Sequence, residues 1–180
     1  MGNDDSKQII KQLCKDILLP LGVFQKGTSG TYIDDNGYFF TVIEFQPSGF
    51  GNGMYLNVAL HFLWNEREHL AYDFPFGQDV RVKGFLEYRD QEQFVCEAVQ
   101  YVQEAASLVC FYRELRDIAA AKRYAQKWLR EYKGNSAVGK LYMFHRLDDE
   151  DTLQSIRRAR AFWRSKSSMK KMNRYEKYDG

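Results

Sequence analysis

Residues 54–64 read MYLNVALHFLW, and their alternation decides the fold. Successive side chains of a β-strand point to opposite faces, so a period of two sorts this stretch into two rows. Met54, Leu56, Val58, Leu60, Phe62 and Trp64 make one wholly apolar row. Tyr55, Asn57, Ala59, His61 and Leu63 make the other, which is mixed. An apolar face backed by a half-polar one predicts a sheet that helices cover on one side.

Towards the N-terminus, Thr31–Ile33 and Tyr38–Gln46 read as two more strands around Asp34-Asp35-Asn36-Gly37. Asn-Gly is a hairpin signal, because a type I′ turn needs positive φ at both central residues. Acids also suit turns, so Asp34 and Asp35 are assigned a structural role there. Asp4–Leu19 reads as an amphipathic helix through Ile9, Ile10, Leu13 and Ile17, ended by Pro20 and Gly22. The stretch from Gln46 to Gly53 is rich in glycine. It lacks the Gly-Lys-Ser/Thr ending and following helix of a phosphate loop, and reads as a strand connection. Beyond residue 64 come a loop, Asn65–Gln78, and a fourth strand, Val80–Tyr88.

At Asp90 the apolar period changes from two to about 3.6. Asp90 with Gln93 forms a capping pattern ahead of Phe94, Ala98, Val102 and Ala105. Asp117 caps a further helix through Tyr132, stopped by Lys133-Gly134. Asn135 or Ser136 opens a short helix, and Asp149 or Asp151 opens a last one carrying Ile156, Phe162 and Trp163. Strands first and helices afterwards define an α+β fold: an N-terminal helix, an antiparallel sheet of about four strands, and an all-helical half packed on it. Residues 1–89 hold the first part and 90–180 the second, with one core expected to run through both.

A second signal lies in the N-terminal half. Leu21-Gly22-Val23-Phe24-Gln25-Lys26-Gly27-Thr28-Ser29-Gly30-Thr31-Tyr32, then Val42-Ile43-Glu44-Phe45-Gln46-Pro47-Ser48, then Tyr55-Leu56-Asn57-Val58, resemble a bacterial domain family of unknown function. Its members carry a helix, a GF-x-K turn, a VI-x-FQ-x-S strand and a VN strand. The resemblance covers about residues 5–65. It implies the helix-and-sheet arrangement and a bacterial setting, and no established activity.

Composition narrows the function. Twenty-six basic and 24 acidic residues leave a net charge of +2, too little for long-range steering towards a polyanion. No apolar run reaches the ~18–20 residues of a membrane span. The opening MGNDDSKQII is acidic and polar, unlike a secretory leader, so a cytoplasmic setting is expected. Gly2 and Ser6 fit a myristoylation pattern, but Asp4 and Asp5 oppose an anionic membrane and no lipid anchor is expected. Three scattered cysteines, Cys14, Cys96 and Cys110, make no disulfide framework and read as buried, reduced thiols.

Catalytic signatures are missing from the sequence. His61 and His69, near Glu66, Glu68 and Asp73, lack the tight spacing of a zinc site. Neither metal nor other cofactor is expected, and an enzyme using His61 with Glu44 ranks last. The half-polar sheet face ranks first: Glu44, Gln46, Tyr55, Asn57, His61, Arg81 and Lys83 are expected to line an exposed surface for a partner protein. The leading expectation is therefore a non-catalytic protein-binding module, with an immunity or adaptor role in bacterial toxin or defence systems as one version. The alternative is nucleic-acid association. From Thr152 to Arg174 there are eight basic residues and no acid. Arg157, Arg160 and Arg164 fall on one helical stripe, with Lys170 and Lys171 beyond, and such a stripe clamps phosphates. The competing reading is a helix docked on the acidic body by Phe162 and Trp163, with a frayed lysine-rich end.

Overall fold

The computed structural model of the chain describes residues 2–75, 77–133 and 138–179. Helix α1 (Gly2–Ile17) leads through a 3-10 turn, Leu19–Leu21, into the sheet. The sheet is a meander of five antiparallel strands in sequence order: β1 (Phe24–Gln25), β2 (Thr31–Asp35), β3 (Phe39–Pro47), β4 (Gly53–Phe62) and β5 (Leu86–Glu87). Helices α2 (Gln91–Arg113), α3 (Ile118–Glu131), α4 (Glu150–Ser165) and the short α5 (Glu176–Asp179) follow, with a 3-10 stretch at Val138–Arg146. The chain is thus α+β with a helical C-terminal half. The expected caps form: Asp90 accepts from Gln93 N–H at 2.9 Å, and Asp117 from Ala120 N–H at 2.6 Å. The expected stop at Gly134 and the helix start at Asn135 or Ser136 lie outside the described residues.

Five strands replace the expected four because β1 is two residues long, too short to show alternation. The expected strand Val80–Tyr88 is broken. Arg81 pairs with Asn57, and Leu86–Glu87 pair with Met54 and Gly53, so the ladder shifts by two residues between them. Val82 still donates its N–H to Leu56 O at 3.0 Å, and residues 83–85 bulge out around Gly84, which has no side chain to pack. At Gly53 the approach is closest: a Cβ would lie 2.1 Å from Leu86 O. Trp64 also leaves the strand. It sits in a 3-10 turn, Leu63–Asn65, stacked on Phe62 at 4.4 Å.

The apolar row of β4 from Met54 to Phe62 is buried throughout. Tyr32, which pairs with Ile43 and so shares this face with Val58, meets Cys14 of α1 through its side chain. The other face corrects the expectation of a sheet covered on one side. Trp163 of α4 stands edge-on to Phe40 at 6.1 Å and to His61 at 5.8 Å. At the His61 end the sheet is therefore covered on both sides, because Phe40, Ala59 and His61 give α4 a largely apolar seat.

The turn between β2 and β3 is also not type I′. Only Gly37 has positive φ, at 87°. Asn36 is held by its own side chain, whose Nδ2 donates to Asp34 O, Asp34 Oδ2 and Thr41 Oγ1 at 3.0–3.1 Å. This hairpin is buried and charged. Arg113 at the end of α2 grips Asp34 with three hydrogen bonds of 2.6–3.2 Å. Arg160 of α4, wholly buried, donates to Asp35 at 2.7 and 3.1 Å, to Gly37 O at 2.8 Å and to Asp179 at 2.6 Å. Arg116 adds a bond to Asn36 Oδ1 at 2.7 Å, and Tyr175 O–H one to Asp35 O at 2.7 Å. Burial pushes the Asp35 carboxyl up from its ordinary range, and the Arg160 guanidinium works against that shift.

The expectation of buried cysteines is corrected for two of the three. Cys14 is buried, but Cys96 and Cys110 are exposed on α2, because they fall on the solvent side of its apolar stripe. Burial pushes the Cys14 thiol up to about 12. In the native protein a thiol reagent is expected to modify Cys96 and Cys110 promptly and Cys14 only on unfolding. Removing the central cation is expected to cost far more than removing a surface one. Arg160→Ala leaves Asp35 buried and unpaired, a change of about 3–5 kcal/mol for a broken buried pair. Arg158→Ala, which breaks an exposed bridge to Glu66, should leave the urea midpoint almost unmoved.

Candidate interaction surface

The ladder between β3 and β4 sets Glu44 opposite Asn57 and Gln46 opposite Tyr55, so these four share one face. Asn57 is 4% exposed. Its Nδ2 donates to Gln46 Oε1 at 3.0 Å and Glu44 Oε2 at 3.4 Å. Tyr72 O–H also donates to Glu44, so this carboxylate is already engaged from two sides. Burial and the Glu44 carboxylate together push the Tyr72 phenol up. Asn57 therefore organises its neighbours from below and is withdrawn from any contact surface.

His61 is withdrawn further, at 1% exposure. Its ring stacks on Phe40, and its Nδ1 accepts from Ala71 N–H at 3.2 Å. An acceptor nitrogen means a neutral ring with the proton on Nε2. Buried Asp73 lies 3.7 Å away, but its oxygens serve Phe62 N–H at 2.9 Å, Arg67 at 2.8 Å and Lys140 at 3.2 Å. His61 and Glu44 do not form a pair. His61 stands four residues along β4 from the partner of Glu44, about 13 Å at ~3.3 Å per residue. Among the described residues no group of three or more His, Cys, Asp or Glu converges to hold a metal ion.

What remains open is the other end of this face. Arg81 lays its guanidinium over the Tyr55 ring at 3.9 Å, and Phe85 meets Tyr55 at 5.1 Å. Lys83 stands 5.3 Å above Tyr101, whose O–H donates to Gly84 O at 3.2 Å. The bulge thus turns Arg81, Lys83 and Phe85 into one patch with Tyr55 and exposed Gln46. Beside it the β3–β4 loop is tightly built. Ser48 Oγ accepts from Phe50 N–H at 3.1 Å and Gly51 N–H at 3.2 Å, and Asn52 and Tyr88 exchange two hydrogen bonds of 2.7–3.0 Å. The loop carries Phe50 at its tip, fully exposed. Phe50, Phe85 and Tyr101 were absent from the sequence expectation. A phenylalanine among glycines, two residues after a serine that can cap it, is the signal for Phe50.

The basic stripe is partly internal, which withdraws Arg160 from the phosphate contacts expected of it. Arg160 is buried. Arg164 bonds Asp179 at 2.9 Å, and Arg157 reaches Glu150 at 3.1 Å. The following end is not frayed: Met169, Met172 and Tyr178 are buried. Of the five, Lys170 and Lys171 are exposed. Comparison with family models, with curated proteins and with solved structures returns no match for this chain.

Burial pushes the His61 imidazole down to about 4, against an opposing pull from Asp73. The unfolded chain therefore takes up this proton first, near the ordinary value of ~6.5. The stability that neutral His61 contributes is complete above that value and lost as pH falls towards 4. Urea unfolding across this window is expected to show declining stability, and His61→Gln to flatten that part of the profile.

Proposed function

We propose that the chain is a non-catalytic protein-binding module whose contact surface is the open sheet end: Phe50, Gln46, Tyr55, Arg81, Lys83 and Phe85. The observation that carries this reading is Phe50, a phenyl ring held fully in solvent by a hydrogen-bonded loop. Exposing a ring forgoes its burial energy, so an anchor for a partner is the reading that gives the ring a use. Tyr, Phe and Arg are also the residue types that dominate interface hot spots. Arg81 and Lys83 stack on rings and have no carboxylate in ion-pair contact among the described residues. The partner segment they fit combines an apolar pocket for Phe50 with flanking acids.

No helix among the described residues is long and apolar enough to cross a membrane. A cytoplasmic site of action is part of the proposal, as is the immunity or adaptor version that the resemblance of residues 5–65 to a bacterial family brings with it. A photo-crosslinking side chain at position 50 should capture one protein that the same group at Gln126, on α3, does not. Titration with that purified partner should then weaken at least tenfold in Phe50→Ala, about 1.4 kcal/mol. Equal capture from both positions, or unchanged affinity, overturns the surface.

A further inference from the structure

On the opposite face of the sheet, between α1 and the β1–β2 turn, a cleft of about 170 Å³ has Ile10, Tyr32, Phe45, Pro47 and Met54 as its apolar lining. Tyr32, Phe45 and Met54 come to one face through the β2–β3–β4 register, and with Ile10 they belong to the core. Protein interiors leave few gaps larger than a water molecule, so an unfilled pocket of this size against core side chains is a distinct feature. Lys7 and Lys11, one turn apart on α1, and Thr28 of the turn complete its wall. Lysine lays its stem along apolar surface and keeps its ammonium in water, which puts the charge at the mouth. A second cleft, of about 270 Å³, adjoins the first through Lys11, Gln25 and Tyr32 and is mostly polar, with Gln8, Gln12 and Lys15 in its wall. Neither cleft has an acid in its lining among the described residues. Lys11 and Lys15 have no carboxylate in ion-pair contact, and the Thr28 hydroxyl no hydrogen-bond partner, among the described residues.

We propose that these adjoining clefts bind a small amphipathic carboxylate, one apolar group of about a single ring joined by a short linker to the acid. Size sets the apolar group. An apolar cavity of about 150 Å³ takes benzene, whereas drug-sized ligands call for roughly 300 Å³ or more. Charge sets the other end. Lys11 stands where the apolar cleft gives way to the polar one, which is where an amphipathic ligand changes character. A carboxylate there accepts charge-assisted hydrogen bonds from Lys11 and Lys15, and a further one from Thr28. An amine meets the same lysines with no acid to offset them, and an alcohol forgoes the charge. Because the clefts lie on the α1 side of the sheet and the Phe50 surface on the other, this site does not rest on the protein-binding reading.

The test is NMR titration of the full chain, carrying carbon-13 in its methionine methyl groups, with phenylpropionate. The Met54 methyl signal, assigned by its loss in Met54→Leu, should move saturably. Phenylpropanol keeps the ring without the charge, and propionate keeps the charge without the ring. Each should bind at least about fivefold more weakly than the phenyl acid. Lys11 and Lys15 are exposed, so Lys11→Ala/Lys15→Ala keeps the fold. It should bring phenylpropionate down to the affinity of phenylpropanol and leave phenylpropanol unchanged. A Met54 signal that stays in place, equal binding of acid and alcohol, an acid unaffected by the lysine variant, or propionate matching phenylpropionate would each overturn the site. So would tighter binding of an acetylated tripeptide ending in phenylalanine, which would assign the clefts to a peptide terminus instead.

Discussion

The fold is organised by two aspartates that have no access to water. Asp34 and Asp35 sit at the tip of the β2–β3 hairpin, and each is met by a guanidinium from a distant helix, Arg113 and Arg160. Burying a charge is costly unless it is paired and hydrogen-bonded, and these pairs are bidentate, the arrangement that Arg offers and Lys does not. The same hairpin therefore fixes the end of α2, the middle of α4 and the Tyr175–Asp179 segment around one point. Apolar burial supplies the bulk of the driving force, and the ion network selects which packing of the helices it produces.

Once α4 is pinned there, the rest of the sheet's second face follows. Trp163 lies three residues after Arg160 on the same helix, so locking Arg160 sets Trp163 over Phe40 and His61. That closes one end of the face. The broken edge from Arg81 to Glu87 leaves the other end open and tilts its aromatic and cationic side chains together. The candidate interaction surface is a by-product of this constraint: it lies where the cover provided by α4 stops.

Local and periodic features were legible in the sequence. The β4 alternation, the shift of period at Asp90, and the caps at Asp90 and Asp117 each depend on residues a few positions apart. What failed depends on partners far away. Asp34-Asp35 read as turn residues because nothing nearby reveals that Arg113 and Arg160 will bury them. The Arg157–Arg160–Arg164 stripe read as a phosphate clamp for the same reason, since its carboxylates lie at Asp35, Asp179 and Glu150. His61 and Asn57 are polar types on a half-polar row, and period alone cannot say whether a second layer covers them. Of the expected surface, Gln46, Tyr55, Arg81 and Lys83 lie at the open end, with Glu44 at its margin. Phe50, the most exposed ring among the described residues, belongs to a loop that no periodicity describes.

The ion network also bears on how the chain is made. Synthesis runs from the N-terminus, so the hairpin emerges with both its acids long before the arginines that neutralise them. Until Arg113 is added Asp34 has no fixed counter-charge, and Asp35 waits longer still, for Arg160. Until then the two carboxylates are best left in water. The final, buried form of the hairpin therefore waits on the helical half, which supplies both arginines.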